Sequence, residues 1–232
     1  MSGTLYVVGT PIGNLADITH RAMDVLRSVD IVIAEDTRQT KKLLDHINSD
    51  VETISYHHHS SDEKKFKILK MLMDGEDLAL VTDAGTPGIS DPGNELIDFI
   101  LENSPEQKVV PIPGISAVST AISICGFDTN HFTFLGFLPK KKLLKTLKEA
   151  KSSKVAIVYF DSPYRVLKNL EKFAEILDGE NSRVMIAREL TKIHETVYRG
   201  DILDVIKALE NEKSIKGEVV VVVEKADARK RN

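Results

Sequence analysis

The stretch VTDAGTPGISDPG, Val81 to Gly93, places three glycines, two prolines and two aspartates directly behind an apolar run, DLALV (77–81), that reads as a buried strand. Glycine permits positive φ and close backbone approach, while proline fixes φ and removes a donor. A loop built this way is rigid and leaves its backbone open to a ligand. Three more glycine- or proline-bearing loops follow apparent strands: GTPIGN (9–14), PGIS (113–116) and the loop around Gly136. In an open α/β sheet, ligands gather at the carboxyl ends of strands, so such loops can share one cleft.

Apolar runs and helical patterns alternate around these loops. TLYVVG reads as a strand, THRAMDVLRSV as a helix with Thr19 as N-cap, DIVIAED as a strand and TRQTKKLLDHI as a helix. In SSDEKKFKILKMLM, Ser60 and Glu63 have capping-box spacing. Then come strand DLALV, helix NELIDFILEN, strand KVVPI and helix ISAVSTAISIC. Strands separated by helices imply a mainly parallel sheet.

FTFLGFLPKKK interrupts that rhythm, and the basic excess begins there. A boundary near Gly136 is therefore expected, with an N-terminal α/β domain over 1–136 and a C-terminal α/β domain over 137–232. The second half reads helix KKLLKTLKEA, strand KVAIVYF, helix SPYRVLKNLEKFAEIL, strand SRVMIA, strand HETVYRG, helix DILDVIKALEN and strand EVVVVVE. Ser162 followed by Pro163 is a good helix start. HETVYRG follows its predecessor too closely for a crossover helix, so a mixed sheet is expected. The basic tail DARKRN has no apolar anchor and is expected to fray.

The 232 residues are 42% hydrophobic, with a mean hydropathy of -0.13, which suits a globular protein with sizeable cores. No apolar run approaches the roughly 20 residues of a membrane span, and the first ten residues lack the features of a signal peptide. A cytoplasmic location is the resulting expectation, with no membrane partner. A single cysteine, Cys125, excludes an intrachain disulfide and a Cys-cluster metal site, and within ICGF it reads as a small core residue. The formal charge of -4 is unevenly spread: residues 1–136 carry 10 Lys and Arg against 20 Asp and Glu, and residues 137–232 carry 21 against 15. A basic half facing an anion, with nucleic acid foremost, stands beside a merely solvated basic surface.

Neither G-x-x-x-x-G-K-[ST] nor G-x-G-x-x-G is present, which argues against an NTPase or an ordinary dinucleotide enzyme. The aspartate spacing of the 83–93 loop also fails the EF-hand pattern. What remains is a backbone-lined site for a less common cofactor.

Seven ordered blocks give that site a family. GTPIGNLADITHRA, AEDTR, VTDAGTPGISDPG, PIPGISA, FLGFLP, FDSPYR and ARELTKIHET resemble the tetrapyrrole methylase superfamily of S-adenosylmethionine enzymes. Within it they resemble the ribosomal RNA small subunit methyltransferase I family, which methylates a ribose 2′-oxygen of a cytidine in the decoding region of 16S rRNA. Porphyrin-modifying members carry a GDP-type triplet where this chain has DAGTP, and AEDTR and RELTK favour the RNA branch. The resemblance implies two α/β domains of the tetrapyrrole methylase type, a folded S-adenosylmethionine in a cleft between them, and a homodimer; the in-line geometry of methyl transfer itself requires no metal, and none is expected. Many relatives continue past the last strand with a helical segment, whereas this sequence stops at Asn232.

Carried over by that resemblance, the cofactor-binding residues are Pro11, Asp83, Ala84, Gly85, Ile89, Ser116 and Ala117 in the first half, and Phe160, Ala187 and Gly217 in the second. A sulfonium cation needs carbonyls and carboxylates, while adenine needs an apolar slot with a few backbone hydrogen bonds. Methyl transfer is an in-line displacement to which alignment can contribute roughly 7–11 kcal/mol. Removing the ribose proton during attack adds about 10²–10⁴-fold. Candidates near the chemistry are Glu35, Asp36, Arg38, Asp161, Arg165, Arg188, Glu189 and Lys192. Of these, Asp36 or Asp161 is assigned as base, with Arg165 and Arg188 holding RNA phosphates. Ion pairing or helix capping is the competing account of each.

His57, His58 and His59 cannot all reach one ion, because neighbours in an extended segment alternate faces. Lys140, Lys141, Lys142, Lys145, Lys148 and Lys151 form either a phosphate-contacting surface or a solvated helix face. With no Trp and 6% aromatics, an assembled ribosomal subunit read by shape and phosphates suits the composition better than a short oligonucleotide. Two rivals remain: a methylase of a small tetrapyrrole, and a non-catalytic, cofactor-sensing RNA-binding protein.

Overall fold

A computed structural model describes residues 2–152, 155–177, 181–212 and 214–225. The chain forms two units, divided between Ser116 and Ala117. In the first, β1 (Leu5–Val8), α1 (His20–Ser28), β2 (Ile31–Ala34), α2 (Thr37–His46), β3 (Glu52–Ser55), α3 (Asp62–Met73), β4 (Leu78–Val81), α4 (Gly93–Asn103) and β5 (Val109–Ile112) follow in order. The sheet runs β3-β2-β4-β1-β5 with every neighbouring pair parallel.

IVIA and LALV are apolar throughout because both faces of their strands are covered. Val32, Ala34, Ala79 and Val81 meet Leu26, Leu43 and Leu44 of α1 and α2. Ile31, Ile33, Leu78 and Leu80 meet Ile68, Leu72, Leu96 and Ile100 of α3 and α4. Burial of each of the Val, Leu and Ile side chains contributes about 1.5–3 kcal/mol. β3, ETIS, escapes a reading based on apolar runs because it is a partly exposed edge strand.

Thr19 caps α1 as expected, accepting the Ala22 N–H at 3.1 Å. The Ser60–Glu63 capping box does not form. Ser61 is the N-cap of α3, and Ser60 Oγ accepts the His57 N–H at 2.9 Å instead, closing the turn before the helix.

The second unit contains α5 (Ala117–Cys125), β6 (Phe132–Phe137), α6 (Leu143–Ser152), β7 (Ala156–Asp161), α7 (Val166–Ile176), β8 (Arg183–Arg188), β9 (Thr196–Asp201), α8 (Ile202–Glu210) and β10 (Val219–Glu224). Its sheet is mixed, in the order β6-β7-β10-β8-β9, with only β6 and β7 parallel. Leu147, Leu170, Phe173 and Val205 from α6, α7 and α8 cover one face, packing with Ile157, Tyr159, Val184, Ile186 and Val221. Helix α5 packs along β10, with Cys125 buried and its thiol donating to the Ile122 carbonyl.

The boundary expected near Gly136 falls inside β6, a strand of the second sheet. Gly136 has φ 62, and the β6–β7 register shifts between Phe134 and Phe137. The glycine thus marks an irregularity within a strand. Helix α7 also begins later than the Ser162–Pro163 signal implies: the Ser162 carbonyl accepts the N–H groups of Arg165 and Val166, making a turn ahead of the helix. The tail DARKRN lies outside the described residues.

Candidate functional site

From β1 the chain crosses to β2, and from β4 it crosses to β5, yet β1 and β4 are neighbours. Their loops therefore leave in opposite directions, creating the switch point at which open α/β sheets bind ligands. Thr10 and Gly85 bridge that point: the Thr10 N–H donates to the Gly85 carbonyl at 2.8 Å and the Gly85 N–H to the Thr10 carbonyl at 3.2 Å. Thr10 Oγ1 reaches the Thr82 and Gly85 carbonyls, each at 3.3 Å. The third loop joins through Thr86 Oγ1, which donates to the Ile115 carbonyl at 3.2 Å, and through the contact of Gly9 with Gly114. Three of the four sequence loops thus meet at one edge.

Pro11 and Gly85 are buried in this surface, Gly85 with φ 87, whereas Asp83, Ala84 and Ile89 are exposed along it. Ser116 ends the third loop, and Ala117 opens α5 of the second unit. The two aspartates of the opening stretch do different things. Asp91 closes its own loop, its carboxylate accepting the N–H groups of Gly88 and Gly93 at 2.8–2.9 Å. Asp83 points toward the end of β2, where it accepts the Asp36 N–H at 2.9 Å. Partial desolvation raises the Asp83 pKa, and the nearby Glu35 and Asp36 charges add to that, against the opposing Asp36 N–H.

Glu35 accepts the Thr82 hydroxyl at 2.9 Å, tying the end of β2 to that of β4. Asp36 caps α2 through the Arg38 N–H at 2.8 Å and grips the Arg38 guanidinium at 3.0 and 2.6 Å. The Arg38 hydrogen bonds hold the Asp36 pKa down at about 2. Such a carboxylate is a weak proton acceptor near neutrality. Arg38 itself extends from the edge, its side chain 87% exposed.

In the second unit, sheet register separates the candidates. Phe160, Val220 and Ala187 stand side by side on β7, β10 and β8, and the next row is Asp161, Val219 and Arg188. Successive strand residues face opposite ways. Val219 belongs to the core beneath α6, α7 and α8, so Asp161 and Arg188 share that face and Phe160 and Ala187 take the other.

Asp161 is fully buried there. It accepts the Ser162 N–H at 2.8 Å, Asn169 Nδ2 at 2.8 Å and an Arg165 nitrogen at 3.3 Å, and Arg165 also donates to the Leu138 carbonyl at 3.0 Å. Burial raises the Asp161 pKa despite these donors. The carboxylate holds the β7–α7 turn, is turned away from the Phe160–Ala187 row, and has no open approach for a substrate hydroxyl. Arg165 is correspondingly a fastener of that turn.

Beyond β8 the RELTK block forms a stiff loop. Glu189 and Thr191 both have positive φ, 52 and 65, a strained choice for non-glycine residues. Glu189 Oε1 accepts the Glu218 N–H and Lys192 Nζ, each at 2.9 Å. Gly217, with φ 90, lies against the Glu189 side chain, which a Cβ there would strike. Gly217 therefore belongs with this loop, away from the Phe160–Ala187 row. Arg188, Glu189, Ile193, His194, Glu195, Thr196, Ser214, Lys216 and Gly217 enclose an open groove of about 520 Å³. His194 and Lys216 are functional candidates that the sequence reading missed; only their proximity to RELTK and to Gly217 hinted at them.

The remaining signals stay peripheral. His57 and His59 stack edge to face in an exposed turn, and among the described residues no group of three or more His, Cys, Asp or Glu is gathered as a metal site. All six lysines of the Lys140–Lys151 cluster are exposed. Phe134 and Phe137 flank Phe160 at 5.0 and 5.3 Å between ring centroids, a small aromatic cluster that composition alone concealed. No described helix is long and apolar enough to cross a membrane.

Residues 4–206 match the family described as Tetrapyrrole (Corrin/Porphyrin) Methylases. A protein of Hydrogenobaculum sp. named "Ribosomal RNA small subunit methyltransferase I" is 45% identical over 223 residues, covering 95% of each chain. The chain belongs to the ribosomal RNA small subunit methyltransferase I family. It is an enzyme of the methyltransferase class. The Halalkalibacterium halodurans member is 42% identical, with 96% of this chain and 76% of that one covered, while for the Thermotoga maritima member the figures are 41%, 95% and 98%. Family members thus occur both with and without added length. Among solved structures, the methyltransferase CobJ superposes with TM-score 0.71 at 20% identity over 97% of this chain and 95% of that one. A diphthine synthase gives 0.72 at 14% identity, with 96% and 90% covered. These two share the fold.

Proposed function

We propose that the protein transfers a methyl group from S-adenosylmethionine to a ribose 2′-oxygen of a cytidine in the decoding region of 16S rRNA, acting on the assembled small subunit and as a homodimer. The observation that carries the reading is the meeting of three backbone loops at the β1/β4 switch point beside Asp83.

That edge fits the cofactor. Asp83, Glu35 and Asp36 give it a negative character that suits a sulfonium, and the close packing of Gly9 on Gly114 and the Thr10–Gly85 bridge fix the loops around it. When bound, S-adenosylmethionine supplies an activated methyl group. Pro11, Asp83, Ala84, Gly85, Ile89 and Ser116 hold it on the first unit. Asp36 acts as a positioning residue: it fixes the guanidinium of Arg38, which meets the anionic substrate. Catalysis on this reading rests mainly on alignment of the reacting groups, without a strongly basic carboxylate.

The test is transfer of labelled methyl from S-adenosylmethionine to small ribosomal subunits, naked ribosomal RNA and a porphyrin precursor, followed by mapping of the label. Label on a ribose 2′-oxygen of the RNA supports the reading. Label confined to the porphyrin, or cofactor binding without transfer, overturns it.

A further inference from the structure

The groove beyond β8 calls for its own ligand. It opens beside Arg188, on the sheet face opposite Phe160 and Ala187, and Gly217 is the only cofactor candidate that lines it. Its volume is within the range of sites for nucleotide-sized groups.

The two carboxylates and two cations that line it balance formally, but the carboxylates are already engaged. Glu189 is occupied by Lys192 and the Glu218 N–H, and Glu195 accepts the Thr191 N–H. On the basic side, Arg188 gives one terminal nitrogen to the Lys216 carbonyl at 3.3 Å and the other to Thr196 Oγ1 at 2.9 Å. Its Nε is buried with no partner among the described residues. The guanidinium thus meets only a carbonyl and a hydroxyl among the described residues, its charge is left without a carboxylate, and a phosphate in the groove would balance it. Lys216 is exposed and forms no ion pair among the described residues. At the lip, Ile193 is 98% exposed on a loop whose strained backbone is pinned by Glu189. An apolar side chain held rigidly in solvent beside two cations suits a ligand with both a phosphate and an apolar sugar or base face.

We propose that this groove binds a phosphodiester of the substrate RNA, with Arg188 and Lys216 on the phosphate and Ile193 against the adjoining sugar or base. The assignment rests on the RNA reading above and adds an anchoring point on the second unit. It makes the RELTK loop an RNA-docking element.

The test uses the full chain with Lys216→Gln and Ile193→Ser, both at exposed positions, and Arg188→Gln as a third variant whose melting temperature is checked. RNA affinity is measured over a salt series, S-adenosylmethionine affinity by calorimetry, and pyrophosphate is titrated as a small-anion probe. For Lys216→Gln the slope of log affinity against log salt is expected to fall by about one phosphate contact. Affinity for RNA should drop about three- to tenfold in both exposed variants, with cofactor affinity and melting temperature unchanged. Unchanged RNA binding in both overturns the proposal, as does a groove-dependent affinity for pyrophosphate without any effect on RNA. Should the wild-type chain show the groove-dependent salt slope yet transfer no methyl to RNA, the docking assignment stands and the enzymatic reading fails.

Discussion

Gly9 and Gly114 meet backbone to backbone: a Cβ on Gly9 would stand 2.7 Å from the Gly114 nitrogen, and one on Gly114 would stand 2.6 Å from the Gly9 carbonyl oxygen. Neither obstacle is a side chain that could swing aside. Gly9→Ala or Gly114→Ala must push the loops after β1 and β5 apart, at an expected cost of about 1–3 kcal/mol, in the range of overpacking. Both variants should melt earlier and bind S-adenosylmethionine at least tenfold more weakly. Calorimetry with a thermal melt would show it; wild-type affinity in both would remove this loop pair from the cofactor site.

Asp83 has a raised pKa in the fold, so the protonated form is favoured there relative to the unfolded chain. Its stabilising contribution is present below the ordinary value of 3.8 and is lost as pH rises through the folded value. Asp83→Asn is accordingly expected to leave the melting temperature at pH 7 equal or higher while weakening binding of the cationic cofactor. In the wild type, cofactor affinity should fall on acidification through the raised pKa, and in Asp83→Asn this dependence should be lost. Parallel pH profiles in the two proteins would contradict the assignment.

Asp36 shows the opposite linkage. Its pKa is lowered to about 2 by Arg38, so its contribution to stability is present above 3.8 and disappears as pH falls toward 2. Arg38→Ala should move the Asp36 titration upward, observable by NMR. If RNA docking uses Arg38, this variant should also weaken RNA binding while sparing cofactor affinity.

Removing Asp161 leaves the Ser162 N–H, Asn169 and Arg165 without their shared acceptor in a buried turn. Asp161→Ala should destabilise the chain by about 2–4 kcal/mol. The conservative Asp161→Asn should keep methyl transfer within about tenfold of wild type at saturating substrates, provided the measurement is made well below its melting temperature. A collapse of kcat in a folded Asp161→Asn protein would restore the carboxylate to the chemistry.

Gly217→Ala combines a disfavoured φ with a collision against Glu189. The expected loss is about 1–3 kcal/mol, accompanied by release of Glu189 from the Glu218 N–H. Hydrogen exchange at Glu218 should then accelerate, whereas unchanged protection there would show that the RELTK loop is held by other contacts.

Apolar runs such as IVIA, LALV and VVVVV announce strands because they are covered on both faces, and Thr19, with one hydroxyl at the right place, announces a helix. Those local rules made the α/β class, most elements and the family blocks legible from residue order alone. The strand ETIS was hidden because an exposed edge needs no apolar run, and Gly136 misled because a glycine inside a strand and one in a linker look alike. Tertiary structure alone decided which loops meet. Sheet order makes β1 and β4 neighbours, bringing Gly9, Gly85 and Gly114 together, and pleat alternation turns Asp161 and Arg188 away from Phe160 and Ala187. Residues distant in sequence touch only after strand order and register are set, and the pleat then assigns each side chain to one face.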